Sequence, residues 1–317
     1  MSIASVLENI RPYIHRTPVL TSRLLDELSG ARLFFKCENF QRMGAFKMRG
    51  AMNAVLRLPE GRRANGVVTH SSGNFAQALS LAALEGGITA YIVMPSNAPS
   101  VKKAAVRDYG GLIIECEPNQ AAREKAALEV TQRTGAVFVH PYNNIDVING
   151  QGTAALELLE DHPRLDNIIA PVGGGGLVSG TILAALERGG GCRVTGAEPA
   201  AVDDAFRSLA AGRIEDNRPG SYTVADGLRT TLGDMTFPII KENIDRIITV
   251  SEDEIVTAMR FLWERMKIVV EPSGAVPLAA LLKSAKDFEG SRTGIILSGG
   301  NVDLSNLPFG KGGEGRG

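Results

Sequence analysis

Short apolar runs recur along the chain. Each is bounded by glycine, proline or a polar cluster, and each is followed by a longer amphipathic stretch. Leu33-Phe34-Phe35-Lys36, Gly66 to His70, Ile88 to Met94, Leu112 to Glu115 and Ala136 to Val139 read as strands. So do Asn167 to Val172, Arg193 to Ala197 and Thr293 to Leu297. Apolar residues at helical spacing predict helices over 45–58, 75–85, 101–109, 121–134 and 177–187. Buried strands alternating with helices imply parallel sheets covered on both faces, an α/β fold of two doubly wound open-sheet domains. The βα units from Gly66 to Asn143 form a compact set. They predict a small domain over residues 66–143, inserted in a large domain made of 1–65 plus 144–317. No internal repeat or low-complexity linker interrupts the pattern.

Composition narrows the partners. The 317 residues are 44% hydrophobic and 22% charged, with net charge −1. That balance argues against nucleic acid or an anionic membrane as partner and leaves a small molecule. No apolar run approaches the ~20 residues of a membrane-spanning helix. The start, Met1-Ser2-Ile3-Ala4-Ser5, lacks the basic residues and apolar core of a signal peptide. Cys37, Cys116 and Cys192 are far apart, with no zinc or disulfide spacing, which fits a reducing cytoplasm. The glycine-rich tail from Gly310 to Gly317 is expected to have no role in the fold.

In open α/β sheets, ligands bind beyond the carboxyl ends of the strands. One lysine and three loops fall there. Lys47 follows Gly44-Ala45-Phe46 at the start of a helix, between Phe46 and Met48. An amine at a positive helix end among apolar groups is disfavoured as ammonium and forms Schiff bases with aldehydes. By itself it would read as a solvated surface lysine. Gly173-Gly174-Gly175-Gly176 ends a strand and opens a helix, so its N–H groups can cradle a phosphate. A dinucleotide site competes, since Gly174, Gly176 and Ser179 half match that fingerprint and Glu198 lies near the next strand end. Ser71-Ser72-Gly73-Asn74 offers hydroxyls, an amide and a helix start to a carboxylate and a ring oxygen, although a plain N-cap explains it as well. Ser298-Gly299-Gly300-Asn301 places a hydroxyl beside glycines, and a simple turn is the competing reading. Together the four describe a site for pyridoxal 5′-phosphate.

With Lys36 to Lys47, Ser71 to Asn74, Gly173 to Gly176 and Ser298 to Asn301 in this order, the chain resembles the serine/threonine dehydratase and serine racemase family. That family has the tryptophan-synthase-β-like fold of pyridoxal phosphate enzymes (fold type II). The likeness runs to about Asp303 and implies a short form without the regulatory domain of allosteric threonine deaminase. It implies that Lys47 holds the cofactor aldehyde as a Schiff base, with Phe46 beside it, and that Gly173, Gly174, Gly175 and Gly176 bind the phosphate. Asn74 would bond the ring oxygen and Ser298 face the ring nitrogen. Ser71, Ser72, Gly73 and Asn74 would receive the substrate carboxylate. A hydroxyl at the ring nitrogen leaves a weaker electron sink than an aspartate would, which favours loss of a β-substituent. The leading expectation is a dehydratase that turns serine, threonine or 3-hydroxyaspartate into a 2-oxo acid and ammonia. The alternative is an amino-acid racemase with Lys47 and Ser72 on opposite faces of the substrate. A nucleotide-binding oxidoreductase is the third reading.

Two positions depart from the family pattern. Phe75 follows Asn74 where histidine is frequent, and Met43 stands where threonine is common. Phe75 serves either as a core aromatic or as part of a substrate site altered toward a bulkier or less polar β-substituent. The resemblance also implies a Mg2+ or Ca2+ site at Glu198, Asp204 and the Val202 carbonyl, a donor set suited to a hard cation. Arg265, Lys267, Glu271, Asn301, Gln77 and Tyr109 match nucleotide-effector positions, although a charged helix end explains the first two better. A homodimer is expected. None of the four histidines is assigned to catalysis.

Overall fold

The computed structural model describes residues 2–310, so all of the glycine-rich tail after Gly310 lies outside the described residues. Among the described residues there are ten strands: β1 (Val19–Leu20), β2 (Arg32–Cys37), β3 (Val67–His70), β4 (Ala90–Pro95), β5 (Leu112–Cys116), β6 (Val137–Phe138), β7 (Asn167–Pro171), β8 (Arg193–Pro199), β9 (Arg246–Val250) and β10 (Arg292–Leu297). The helices are α1 (Ile3–Ile10), α2 (Arg23–Ser29), α3 (Lys47–Leu56), α4 (Glu60–Arg63), α5 (Asn74–Glu85), α6 (Ser100–Asp108) and α7 (Gln120–Thr134). After them come α8 (Ile145–Asp161), α9 (Gly176–Glu187), α10 (Asp204–Ala211), α11 (Thr236–Asn243), α12 (Glu252–Arg265), α13 (Pro272–Lys283) and α14 (Ala285–Phe288).

The strands form two sheets. One has six strands in the order β1-β2-β10-β7-β8-β9, the other four in the order β5-β4-β3-β6. The fold is α/β, as the alternation implies, and its two sheets agree with the tryptophan-synthase-β-like fold that the resemblance implies. The two-residue β1 pairs antiparallel with β2, so the larger sheet is mixed rather than wholly parallel. The apolar runs are continuous because both faces are covered. Along β2, Leu33 and Phe35 enter one core while Phe34 enters another; along β10, Ile295 and Leu297 part from Ile296 in the same way. The run at β5 does not follow this rule. It is an edge strand with Leu112 and Glu115 exposed, so it is covered less than its composition implies.

Two packing features place the site. First, β2, β10 and β7 are neighbours and run parallel, so the loops after them open side by side. Second, α3 shares a core with the smaller sheet. Met48, Met52 and Val55 of α3 pack with Phe75 and Leu79 of α5 and with Ile92 of β4. The back of α3 lies on α8 at a glycine contact. A Cβ on Gly150 would stand 2.5 Å from the Gly50 Cα. The other side of α8 meets α9 in the same manner, since a Cβ on Gly152 would stand 2.5 Å from the Gly180 carbonyl oxygen. Behind α3 the fully buried Arg49 bonds Glu38 (2.7 Å) and Glu157 (2.8 Å), and Lys36 bonds Glu157 (2.6 Å). Two buried cations thus meet two buried anions, which is the arrangement that allows buried charge.

Candidate active site

After β2 the chain makes two short 3-10 turns, Glu38–Phe40 and Arg42–Gly44. Met43 adopts φ 54° and Gly44 φ 78°. An unbranched methionine tolerates that left-handed backbone more readily than a β-branched threonine would. Ala45 then bridges to Gly299, and the Phe46 N–H donates to the Ser298 carbonyl at 3.0 Å. These contacts tie the entry of α3 to the end of β10 and present Lys47 as the first residue of its helix.

The Lys47 Nζ donates to the Pro141 carbonyl at 2.9 Å. It stands 5.0 Å from the Phe46 ring centroid and 5.6 Å from that of Phe75. Loss of water around this half-buried amine lowers its pKa to about 8, against an upward pull from the Glu271 carboxylate. Phe75 is 2% exposed and belongs to the core. Its ring is part of that core and stands beside the Lys47 amine. The Pro141 turn is held by His140, whose Nδ1 accepts from the Asn143 N–H at 3.0 Å. Burial, then the nearby His70 and Lys47, push the His140 imidazole down to about 4, so it accepts as the neutral form.

The second strand end carries the glycine loop. Gly175 has φ 86° and caps α9. A Cβ on Gly174 would lie 2.4 Å from the Tyr142 ring, and one on Gly175 would lie 2.8 Å from the Thr236 hydroxyl. Only glycine fits at either place. The cradle that results is a run of main-chain N–H groups at a helix start, in the form that binds phosphate.

The third strand end is Ser298, buried at 2% exposure. Beyond it, Asn301 Nδ2 donates to Asn74 Oδ1 and to the Met43 carbonyl, each at 2.9 Å. Asn74 Nδ2 in turn donates to Glu271 at 3.0 and 3.1 Å. The amide that opens α5 is thus gripped from both sides by loops of the six-stranded sheet. Burial pushes the Glu271 carboxyl up to about 7, against the donation from Asn74. Ser71, Ser72 and Gly73 are half-buried at the end of β3, where the Ser71 hydroxyl accepts from the Gly73 N–H at 3.4 Å. Of the six residues matched to a nucleotide effector, Glu271 and Asn301 hold Asn74. Sequence reasoning missed Pro141, Tyr142 and Thr236, since no spacing rule links them to Lys47 or to the glycine loop.

Glu198 closes β8. Its two oxygens accept from the Ala205 and Phe206 N–H groups, each at 2.9 Å. Asp204 Oδ2 accepts from the Leu232 N–H at 3.2 Å, whereas its Oδ1 is buried without a hydrogen-bond partner although Asn217 lies near. Burial and then the Asp204 charge push the Glu198 carboxyl up to about 8, and burial pushes Asp204 up to about 7. Val202 lies between them, the one buried residue of the 3-10 turn Ala200–Val202. Among the described residues no cluster of three or more acidic, histidine or cysteine side chains gathers to hold a metal. An orphaned carboxylate oxygen beside a second buried carboxyl still fits a hard cation completed by a carbonyl and water.

An amine of lowered pKa, a glycine-lined helix start and buried polar side chains, gathered at the ends of β2, β7 and β10 and beside the start of α5, are of the kind an anionic aldehyde cofactor needs. A family model described as "Pyridoxal-phosphate dependent enzyme" matches residues 10–299, and the chain belongs to that family. It is 52% identical over 303 residues to β-hydroxyaspartate dehydratase of Paracoccus denitrificans, covering 95% of this chain and 96% of that one. It is 46% identical over 304 residues to serine racemase of Homo sapiens, covering 94% and 89%. The crystal structure of serine racemase from Dictyostelium discoideum superposes with a TM-score of 0.92 at 49% identity, covering 95% of this chain and 98% of that one. The oxidoreductase reading of the glycine loop falls with this result, because the same loop belongs to a pyridoxal phosphate enzyme.

Proposed function

We propose that this protein acts on the Cα–H bond of a small 3-hydroxy amino acid, racemising it and eliminating its β-hydroxyl to give a 2-oxo acid and ammonia. Relatives that carry each activity support the pair, and the comparisons lend racemisation more weight than the sequence motifs did. The observation that carries the reading is the Lys47 amine at the start of α3, bonded to the Pro141 carbonyl and lowered to about 8. Pyridoxal phosphate, when bound, supplies an electron sink that acidifies the substrate Cα–H.

The chain's own residues supply the rest. Gly173 to Gly176 hold the phosphate through main-chain N–H groups. Asn74, fixed by Glu271 and Asn301, and the buried Ser298 hydroxyl would hold the cofactor ring. Ser71 to Asn74 take the substrate carboxylate. Lys47 removes the Cα proton on one face, since an amine near pKa 8 is both partly neutral and basic enough at neutral pH. The Ser72 hydroxyl returns or takes a proton on the other face, which racemisation requires and elimination does not. Glu198, Asp204 and the Val202 carbonyl hold Mg2+ or Ca2+ in this reading. Three unpaired cysteines suit a reducing cytoplasm, and a homodimer is part of this reading. Among the described residues no helix is long and apolar enough to cross a membrane.

The test is a substrate panel of L- and D-serine, threonine and 3-hydroxyaspartate, scored for keto acid, chirality and Cα deuterium exchange. Lys47→Ala should lose the visible-edge absorbance of the lysine–cofactor linkage and all three readouts by at least ~10²-fold. Ser72→Ala should lose racemisation far more than elimination, since only racemisation needs its hydroxyl for proton transfer. Full activity in Lys47→Ala, or equal loss of both reactions in Ser72→Ala, contradicts the assignment.

A further inference from the structure

The glycine cradle rests on the start of α11. Thr236 is fully buried there, and its hydroxyl stands 2.9 Å from the Gly174 carbonyl. The same hydroxyl accepts from the Gly233 N–H at 2.9 Å. It has one proton to give, and the Gly233 carbonyl at 3.1 Å competes for it. That carbonyl already accepts from the Phe237 N–H at 2.9 Å, so Gly174 is the acceptor in need. In a trans peptide the carbonyl and the following N–H point in opposite directions. Drawing the Gly174 oxygen toward α11 therefore turns the Gly175 N–H away from α11. Steric contact reinforces the bond, because the missing side chain of Gly175 leaves the space that Thr236 occupies.

The turn that delivers Thr236 is anchored at its other end. Leu232, next to Gly233, donates its N–H to Asp204 Oδ2 at 3.2 Å. Asp204 is thus linked to the Gly174 peptide by a hydrogen bond to Leu232, the covalent step from Leu232 to Gly233, and the hydrogen bonds of Gly233 to Thr236 and Thr236 to Gly174. We infer that Thr236 is the positioning residue of the phosphate cradle, and that Asp204 reaches the cradle through it. The inference rests on the pyridoxal phosphate reading of Gly173 to Gly176.

The experiment follows release of cofactor from the holoenzyme after dilution into an aldehyde trap. Thr236→Val keeps the shape and removes the hydroxyl. It should release pyridoxal phosphate about tenfold faster, the scale of one net hydrogen bond, and should shift the 31P resonance of the bound phosphate. Affinity for pyridoxal, which lacks the phosphate, should stay within about twofold of the parent. Thr236→Ser should restore both the rate and the resonance. Asp204→Asn should also speed release, yet add little to Thr236→Val in a double-mutant cycle. If Thr236→Val does not fold, Thr236→Cys takes its place, with a weaker donor and a smaller effect in the same direction.

Release at the parent rate, or equal weakening of pyridoxal and pyridoxal phosphate, overturns the positioning role. Full additivity of the two substitutions overturns the path from Asp204. A parent protein with neither a visible-edge band nor a bound 31P signal would instead defeat the cofactor reading itself.

Discussion

Lys47 shows how much one side chain depends on its neighbours. Its pKa of about 8 comes from loss of water first, with Glu271 pulling the other way. Below about pH 8 its neutral fraction grows roughly tenfold per pH unit, and above it the fraction levels off. The rate at which apoenzyme captures pyridoxal phosphate should follow that curve. Glu271→Gln removes the upward pull, so Lys47 deprotonates at lower pH. The acid limb should move down, with capture at pH 7 faster by roughly two- to tenfold, an effect of up to about one pH unit. Stopped-flow absorbance across pH 6 to about 9 checks it, and a limb that moves up would contradict the role given to Glu271. Lys47 itself was legible in the sequence because Gly44-Ala45-Phe46 and the apolar flanks mark it. Glu271 was matched only to an effector position. Its bond to Asn74 crosses 197 positions, which no local pattern encodes.

At the scale of elements, the strands and the loops after them were readable because a buried parallel strand must be apolar on both faces and must end in turn residues. Val19–Leu20 and Arg246–Val250 were not: the first is two residues long and the second carries polar positions. The clamp behind α3 was equally hidden, since Lys36, Glu38, Arg49 and Glu157 become one group only when β2, α3 and α8 meet. Breaking such a group leaves a buried charge unpaired. Glu157→Ala should therefore lower unfolding stability by about 3–5 kcal/mol, read from urea denaturation of the apoenzyme. A loss below about 1 kcal/mol, the range of surface pairs, would mean that the quartet is not needed to seat α3.

At the scale of the whole molecule, Asn74 and Lys47 each join the two sheets. Asn74 opens a helix of the four-stranded sheet yet is held by loops of the larger one, and α3 leaves β2 only to pack against α5. The Glu198–Asp204 pair lies at the carboxyl end of β8, an inner strand of the larger sheet, where two raised carboxyls oppose each other. A cation bound there and absent from the unfolded chain stabilises the fold by mass action. Magnesium or calcium at 100 times its dissociation constant should add about 2.7 kcal/mol, seen as a higher Tm that a chelator reverses. An unchanged Tm with either ion removes the metal from this protein. The sheets and the order of the loops could be read from sequence. The way α3 binds one sheet to the other could not, because it depends on which core a helix chooses.

The glycine contacts along α8 have a consequence for how this protein can change over time. Gly50, Gly150, Gly152 and Gly180 carry no side chain for chemistry, yet an added methyl at any of them meets a neighbouring backbone or side-chain atom at 2.5 Å or less. Drift that is harmless on most helix surfaces is closed to these four positions. In a library of single substitutions they should be as depleted as Lys47, and a survey of variants would flag them as essential although their task is only to let three helices lie close enough for the site to exist.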